Sequence, residues 1–273
     1  MKKLLKISIV GLVVGVLLVS GCISTETISA AQIKASALQS VSDVTSYSFS
    51  ITGEIEIAMS NDTGTVMSYV ISSSGNGTID TANNNLMTDI ELYLSILEQT
   101  MTIETTLYII DNVVYAKIDE NWTKSNVTDL SEQWQSNDQM EIQRFLLEVS
   151  DVEKLDDEIV DGVNCYVLKI EPDLELLYQV MMNQPGADFS DPLPHGNLSD
   201  YVTGFSIKQW IAKDTNLWKK IYAQMTVEYS QDLGYMFMDY FMDMNFEIVF
   251  SNYNAAVDIE LPEEAENAPW SWL

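Results

Sequence analysis

The chain has 273 residues and sets 41 acidic side chains against 13 basic ones, a formal net charge of −28, with 47% hydrophobic residues. Such an acidic excess repels nucleic acid and anionic membrane, and so excludes a polyanion-binding role. Two cysteines exclude a disulfide framework, and a chain of this length can bury a substantial core without one.

At the amino terminus Lys2, Lys3 and Lys6 precede an uncharged run from Ile7 to Val19, and Val19-Ser20-Gly21-Cys22 follows. Charged, apolar and small-residue parts in that order make a secretion signal, and the apolar run is too short for a permanent bilayer span. The tetrapeptide ending in Cys22 resembles a lipobox, where prokaryotic lipoproteins are acylated on the cysteine that becomes the new amino terminus. The expectation is therefore a signal peptide over 1–21, a lipidated tether over 22–30 and a domain on the extracytoplasmic face of the cell membrane. Removal of 1–21 takes three lysines with it and deepens the acidic excess. With Cys22 acylated, Cys165 has no partner for a disulfide.

Ile33, Ala37, Leu38 and Val41 fall at helical spacing, so a helix over 31–44 opens the domain. Tyr47, Phe49, Ile51, Ile55, Ile57 and Met59 then alternate with polar residues, the period of a strand with one buried face. Turns are expected at Asn61-Asp62-Thr63-Gly64, Gly75-Asn76-Gly77 and Asn83-Asn84-Asn85, around strands at 65–72, 86–97, 101–110 and 113–118. This is an antiparallel meander with a tight hairpin at Asp111-Asn112. Five Asn-x-Ser/Thr sequons, at Asn61, Asn76, Asn121, Asn126 and Asn197, fall in polar segments that read as turns or loops. They are glycosylation candidates, or the chance product of a chain rich in Asn, Ser and Thr.

From Thr128 to Leu155 the period becomes helical again, with Leu130, Trp134, Ile142, Phe145, Leu146 and Val149 as the stripe and a break at Asn137-Asp138. A hairpin pivoting on Asp161-Gly162 follows, then a short helix near 174–181. The loop 184–199 is rich in Pro and Gly and reads either as a lid or as a bare surface loop. Strands resume with Phe205, Ile207, Gln209 and Ile211, then turn at Asp214-Thr215-Asn216 into Leu217 to Tyr229. In YMFMDYFMDMNFEIVF, Met236, Met238, Tyr240, Met242, Met244, Phe246, Ile248 and Phe250 share one face, opposite Asp239, Asp243, Asn245 and Glu247. Methionine adapts to irregular partners, so this stripe suits the wall of an apolar ligand cavity. It suits an ordinary core as well.

These elements together resemble the LolA-like lipoprotein-carrier superfamily, a group that includes the mycobacterial lipoproteins LprG and LppX. The likeness rests on the lipobox, the opening helix and the meander with inserted helices. It also rests on DGVNCYVLKIEPD, on Ile207 to Ile211 with Asp214 and Leu217-Trp218-Lys219-Lys220-Ile221, and on the closing FSNYNAAVDIELPEEA. Ala212 and Trp218 stand where such proteins more often carry Asp and Pro. The resemblance implies an α+β fold, mainly antiparallel: a strongly curved half-barrel over 31–265 with helices lidding the concave face, followed by a tail at 266–273. It also implies acyl-chain binding and no catalytic residues.

Nothing in the chain argues for chemistry against that. His195 is the single histidine, so a multi-histidine metal site is excluded, and no nucleophile elbow or phosphate-cradling glycine loop occurs. Carboxylate pairs such as Asp239 and Asp243 are expected from abundance alone. No enzyme activity, cofactor or metal is expected. The expected partners are a membrane reached through the anchor and a lipid or lipoprotein ligand. No nucleic acid is expected, and the protein itself is expected to be a monomer. The alternative is a cell-envelope interaction or sensor module with a closed core. The two part on whether the helices leave an empty apolar space over the sheet.

Overall fold

The computed structural model describes residues 28–96, 99–126, 139–175, 198–232, 234 and 236–270. The signal segment with Cys22, the first part of the second helical stripe, the loop with His195 and Asn197, and most of the helix expected near 174–181 lie outside the described residues.

Helix α1 (Ala30–Val41) starts at a capping box. The Ser29 hydroxyl accepts from the Gln32 amide at 3.3 Å, and Gln32 Oε1 accepts from the Ser29 amide at 2.9 Å. Six strands follow as a meander: β1 (Ser46–Asn61), β2 (Gly64–Asp80), β3 (Asn85–Ile96), β4 (Gln99–Ile110), β5 (Val113–Ile118) and β6 (Asn121–Asn126). Helix α2 (Gln139–Val149) leads to β7 (Asp151–Lys154), β8 (Glu158–Val160) and β9 (Val163–Glu171). The long strands β10 (Val202–Ala212), β11 (Trp218–Asp232) and β12 (Phe237–Ser251) come next, then a one-turn helix α3 (Glu263–Glu266). These strands form one antiparallel sheet in the order β6-β5-β4-β3-β2-β1-β12-β11-β10-β9-β7, with β8 beside β9. The first and last strands do not pair with each other, so the curled sheet is an open half-barrel.

Both helices lie on one face of the sheet. Ile33 and Ala37 of α1 and Leu147 of α2 are fully buried against Tyr47, Ile79, Leu168, Ile211, Ile221, Ile248 and Phe250. Burying each large side chain of this kind contributes about 1.5–3 kcal/mol, which makes this cluster the main stabilising element. Tyr47 also receives the amide of Met140 at 3.2 Å, satisfying one of the unpaired N–H groups at the start of α2. At the far end of the chain, the Tyr253 hydroxyl donates to the Trp218 carbonyl at 2.6 Å, and burial pushes its pKa well above the ordinary tyrosine value.

The structure revises four local expectations. Gly75-Asn76-Gly77 is not a turn but the interior of β2, which runs unbroken to Asp80. A side chain at Gly77 would strike the Phe49 ring at 2.5 Å and one at Gly75 would strike the Asp89 carbonyl at 2.5 Å, so these glycines admit close packing rather than bend the chain. Asn76 is therefore an exposed mid-strand residue; Asn61 ends β1 and Asn121 opens β6, each beside a tight turn, and Asn126 is the exposed end of β6. Helix α2 stops at Val149, and 151–154 forms an edge strand on β9. The buried face of α2 carries Met140, Gln143, Leu146 and Leu147, whereas Val149 is exposed.

Trp210, opposite Gln209 and Ile211 in the alternation of its strand, is buried on the convex side. The β8–β9 hairpin folds over it there, beside Cys165 and Val167. Its indole donates to Glu158 at 2.9 Å, and the Lys220 ammonium sits 5.0 Å from the ring centre. Cover on both faces explains why β9 reads as a nearly continuous apolar run. The exposed flank of β6 is held by the carboxy-terminal segment. The Lys124 amide donates to the Pro269 carbonyl at 3.0 Å, and Lys124 pairs with Trp270 in an isolated bridge.

Candidate functional site

The concave face is filled at one end and hollow beside it. On one side the cross-strand row Gln209, Ile221, Ile248 and Ile51 supplies bulky side chains before it reaches Gly75. The next row, toward the hairpin ends, runs Ile207, Ala223, Phe246, Gly53, Ser73 and Leu92, and three of its six members are small. The row after that is bulky again, with Phe205, Met225, Met244, Ile55 and Ile71. Small residues between two bulky rows leave an apolar cavity of about 430 Å³, roofed by Ile142, Gln143 and Leu146 of α2. Its size falls within the roughly 300–1,000 Å³ of typical ligand pockets.

The stripe on β12 divides along its length. Met244, Phe246 and Ile248 line the cavity, and Phe246 keeps 38% of its surface exposed. Phe250 belongs to the closed core, with its ring 5.9 Å from that of Tyr47. Met242 is half-buried between Ile57 and Val227 and does not line the cavity. Tyr240 stacks on Tyr229 at 4.6 Å, and burial pushes the Tyr229 phenol up from its ordinary value. Met238 is buried, while Met236 is exposed at the strand's start.

Sequence reasoning missed the lining residues that the other elements contribute. Ile51, Ile55 and Ile207 stood out by alternation, but nothing local joined them to β12. The lone Gly53 inside a strongly alternating strand was the available signal. Gln143 carried no signal, because a glutamine in a helix reads as solvent-facing. It is nonetheless 97% buried and ends a hydrogen-bonded series: Trp218 Nε1 donates to Gln209 Oε1 at 2.9 Å, and Gln209 Nε2 donates to Gln143 Oε1 at 3.3 Å. Trp218, a departure from the carrier pattern, is thus a fully buried core residue and the source of this series.

Among the described residues no three His, Cys, Asp or Glu side chains are grouped to hold a metal ion, and no helix is long and apolar enough to cross a membrane. Cys165 is buried, which pushes its thiol pKa up.

A family model described as a family of unknown function, DUF6612, matches residues 29–269. No curated protein matches the chain. Among solved structures the chain is similar to the lipoprotein LppX of Mycobacterium tuberculosis, at 12% identity and TM-score 0.44, covering 85% of this chain and 100% of that one. It is similar to LprF of Mycobacterium bovis at 14% identity and TM-score 0.47, covering 86% and 97%. It is also similar to a putative outer membrane lipoprotein-sorting protein domain from Vibrio parahaemolyticus, at 13% identity and TM-score 0.18, covering 80% and 90%.

Proposed function

We propose, for a chain that belongs to the DUF6612 family of unknown function, that it is a membrane-anchored extracytoplasmic lipoprotein binding an apolar ligand without catalysis. The observation that carries this reading is the apolar cavity of about 430 Å³ between α2 and the concave face. The apolar walls of this space lack packing partners on one side until a ligand supplies them. Each methylene taken up contributes about 0.8 kcal/mol, and a chain of ten or so would bind firmly. In this reading residues 1–21 are removed, Cys22 carries the acyl anchor, and 22–30 tether a monomeric domain to the outer face of the cell membrane.

Native mass spectrometry of the purified protein tests for a co-purified lipid, and a variant tests the site. Met244→Trp should fill the cavity, hold or raise the melting temperature, and abolish the stabilisation that added lipid gives the wild type. A ligand at 100 times its Kd stabilises by about 2.7 kcal/mol, a readily measured shift. Destabilisation of Met244→Trp with no lipid-dependent shift in the wild type would leave the interaction module as the better account.

A further inference from the structure

The ligand class can be narrowed from two independent features of the cavity, one of charge and one of hydrogen bonding. Lys2, Lys3 and Lys6 apart, every Lys and Arg of the chain lies among the described residues, and none lines the cavity. Arg144, Lys154, Lys169, Lys213, Lys219 and Lys220 are paired with carboxylates. Lys34 and Lys124 donate to main-chain carbonyls. Lys208 follows the cavity-lining Ile207 on its strand and so points to the opposite face, and Lys117 lies opposite Thr106 on that same convex side. Among the lining residues the only ionisable one is Glu54, whose carboxylate, between Gly53 and Ile55 on the strand, also points to the opposite face. An anionic headgroup drawn into this space would lose its hydration and meet no compensating cation.

The hydrogen-bonded series decides what the cavity offers instead. An indole N–H can only donate, so Trp218 fixes the oxygen of Gln209 toward itself and the nitrogen of Gln209 toward Gln143. Gln143 must then present its own oxygen to Gln209, and its Nε2 group becomes the free end. No described residue accepts a hydrogen bond from that nitrogen, although the side chain is almost wholly buried at the cavity roof. Asn85 Oδ1 is the buried side-chain polar atom without a partner among the described residues, so this nitrogen keeps accessible surface and is free to donate to a ligand oxygen.

We infer that the cavity selects an uncharged apolar molecule bearing a carbonyl or similar acceptor oxygen, which accepts from Gln143 Nε2, and that it discriminates against anionic amphiphiles. This rests on the cavity being a ligand site, as proposed above. Competition against bound Nile red by dodecane, methyl laurate and laurate at pH 8 tests it on the purified full chain. Methyl laurate should compete about fivefold better than dodecane, the effect of one net hydrogen bond, and laurate should be the weakest of the three. Gln143→Leu should bring methyl laurate down to the level of dodecane while dodecane still binds, which also shows that the variant is folded. Laurate competing as well as methyl laurate, or an ester preference that survives in Gln143→Leu, would overturn the inference and leave the cavity reading standing. Should that variant fail to fold, the wild-type ranking alone decides. Failure of all three probes in the wild type would instead overturn the cavity reading itself.

Discussion

At Gly77 a hydrogen in place of a side chain lets the Phe49 ring lie flat against β2. An added Cβ would stand 2.5 Å from that ring and 2.8 Å from Thr88 Cγ2. Both neighbours are buried, so neither can swing away. Gly77→Ala should therefore cost about 1–3 kcal/mol by overpacking, measured as a lower urea midpoint with an unchanged slope. Gly53→Ala is the matched control. Its Cβ would meet the Ser73 hydroxyl at 3.0 Å and the Asn245 carbonyl at 3.3 Å beside the hollow part of the sheet, so it should cost clearly less than Gly77→Ala. A glycine between alternating residues signals a turn or a close approach with equal force, and only the partner strand tells them apart. That ambiguity is why Gly75-Asn76-Gly77 reads as a turn from sequence and folds as a strand.

The two helices differ in what they cover. Helix α1 buries Ile33 and Ala37 fully in the closed core, whereas α2 presents Ile142 to the cavity. Ile33→Ala should cost about 2–5 kcal/mol, the range for emptying a packed site. Ile142→Ala removes the same atoms from a wall that already lacks neighbours on one side, so its cost should be well below that of Ile33→Ala. Equal losses in equilibrium denaturation would mean that the space under α2 is closed in solution. The apolar spacing in α1 identified its buried face, because Ile33, Ala37 and Val41 all meet the core. In α2 the spacing misled at Val149 and Gln143: a hydrophobic stripe records preference for burial, while a buried glutamine depends on a partner 66 residues away.

For the whole molecule the charge bears on the proposed anchor. An acidic domain gains nothing from an anionic bilayer, so under that proposal attachment depends on acyl chains at Cys22 alone. Cys22→Ser should move the processed protein from the membrane to the soluble fraction, followed by immunoblot of fractionated cells. A processed serine variant that stays with the membrane would refute the lipid anchor. The sequence by itself determined the antiparallel class, the strand faces and an opening helix, expected over 31–44 and observed over 30–41, because alternation and helical spacing are local consequences of which side chains seek burial. It also marked one strip of the candidate site, Met244, Phe246 and Ile248 of β12. Where along that stripe the core ends and the cavity begins was decided only in the tertiary structure. Gly53 and Ser73 face each other across the β1–β2 hairpin, but Ala223 comes from β11 far down the chain, and the three make a hollow only when register sets them in one row beneath α2. Strand pairing is a long-range choice, so no local pattern could have announced it.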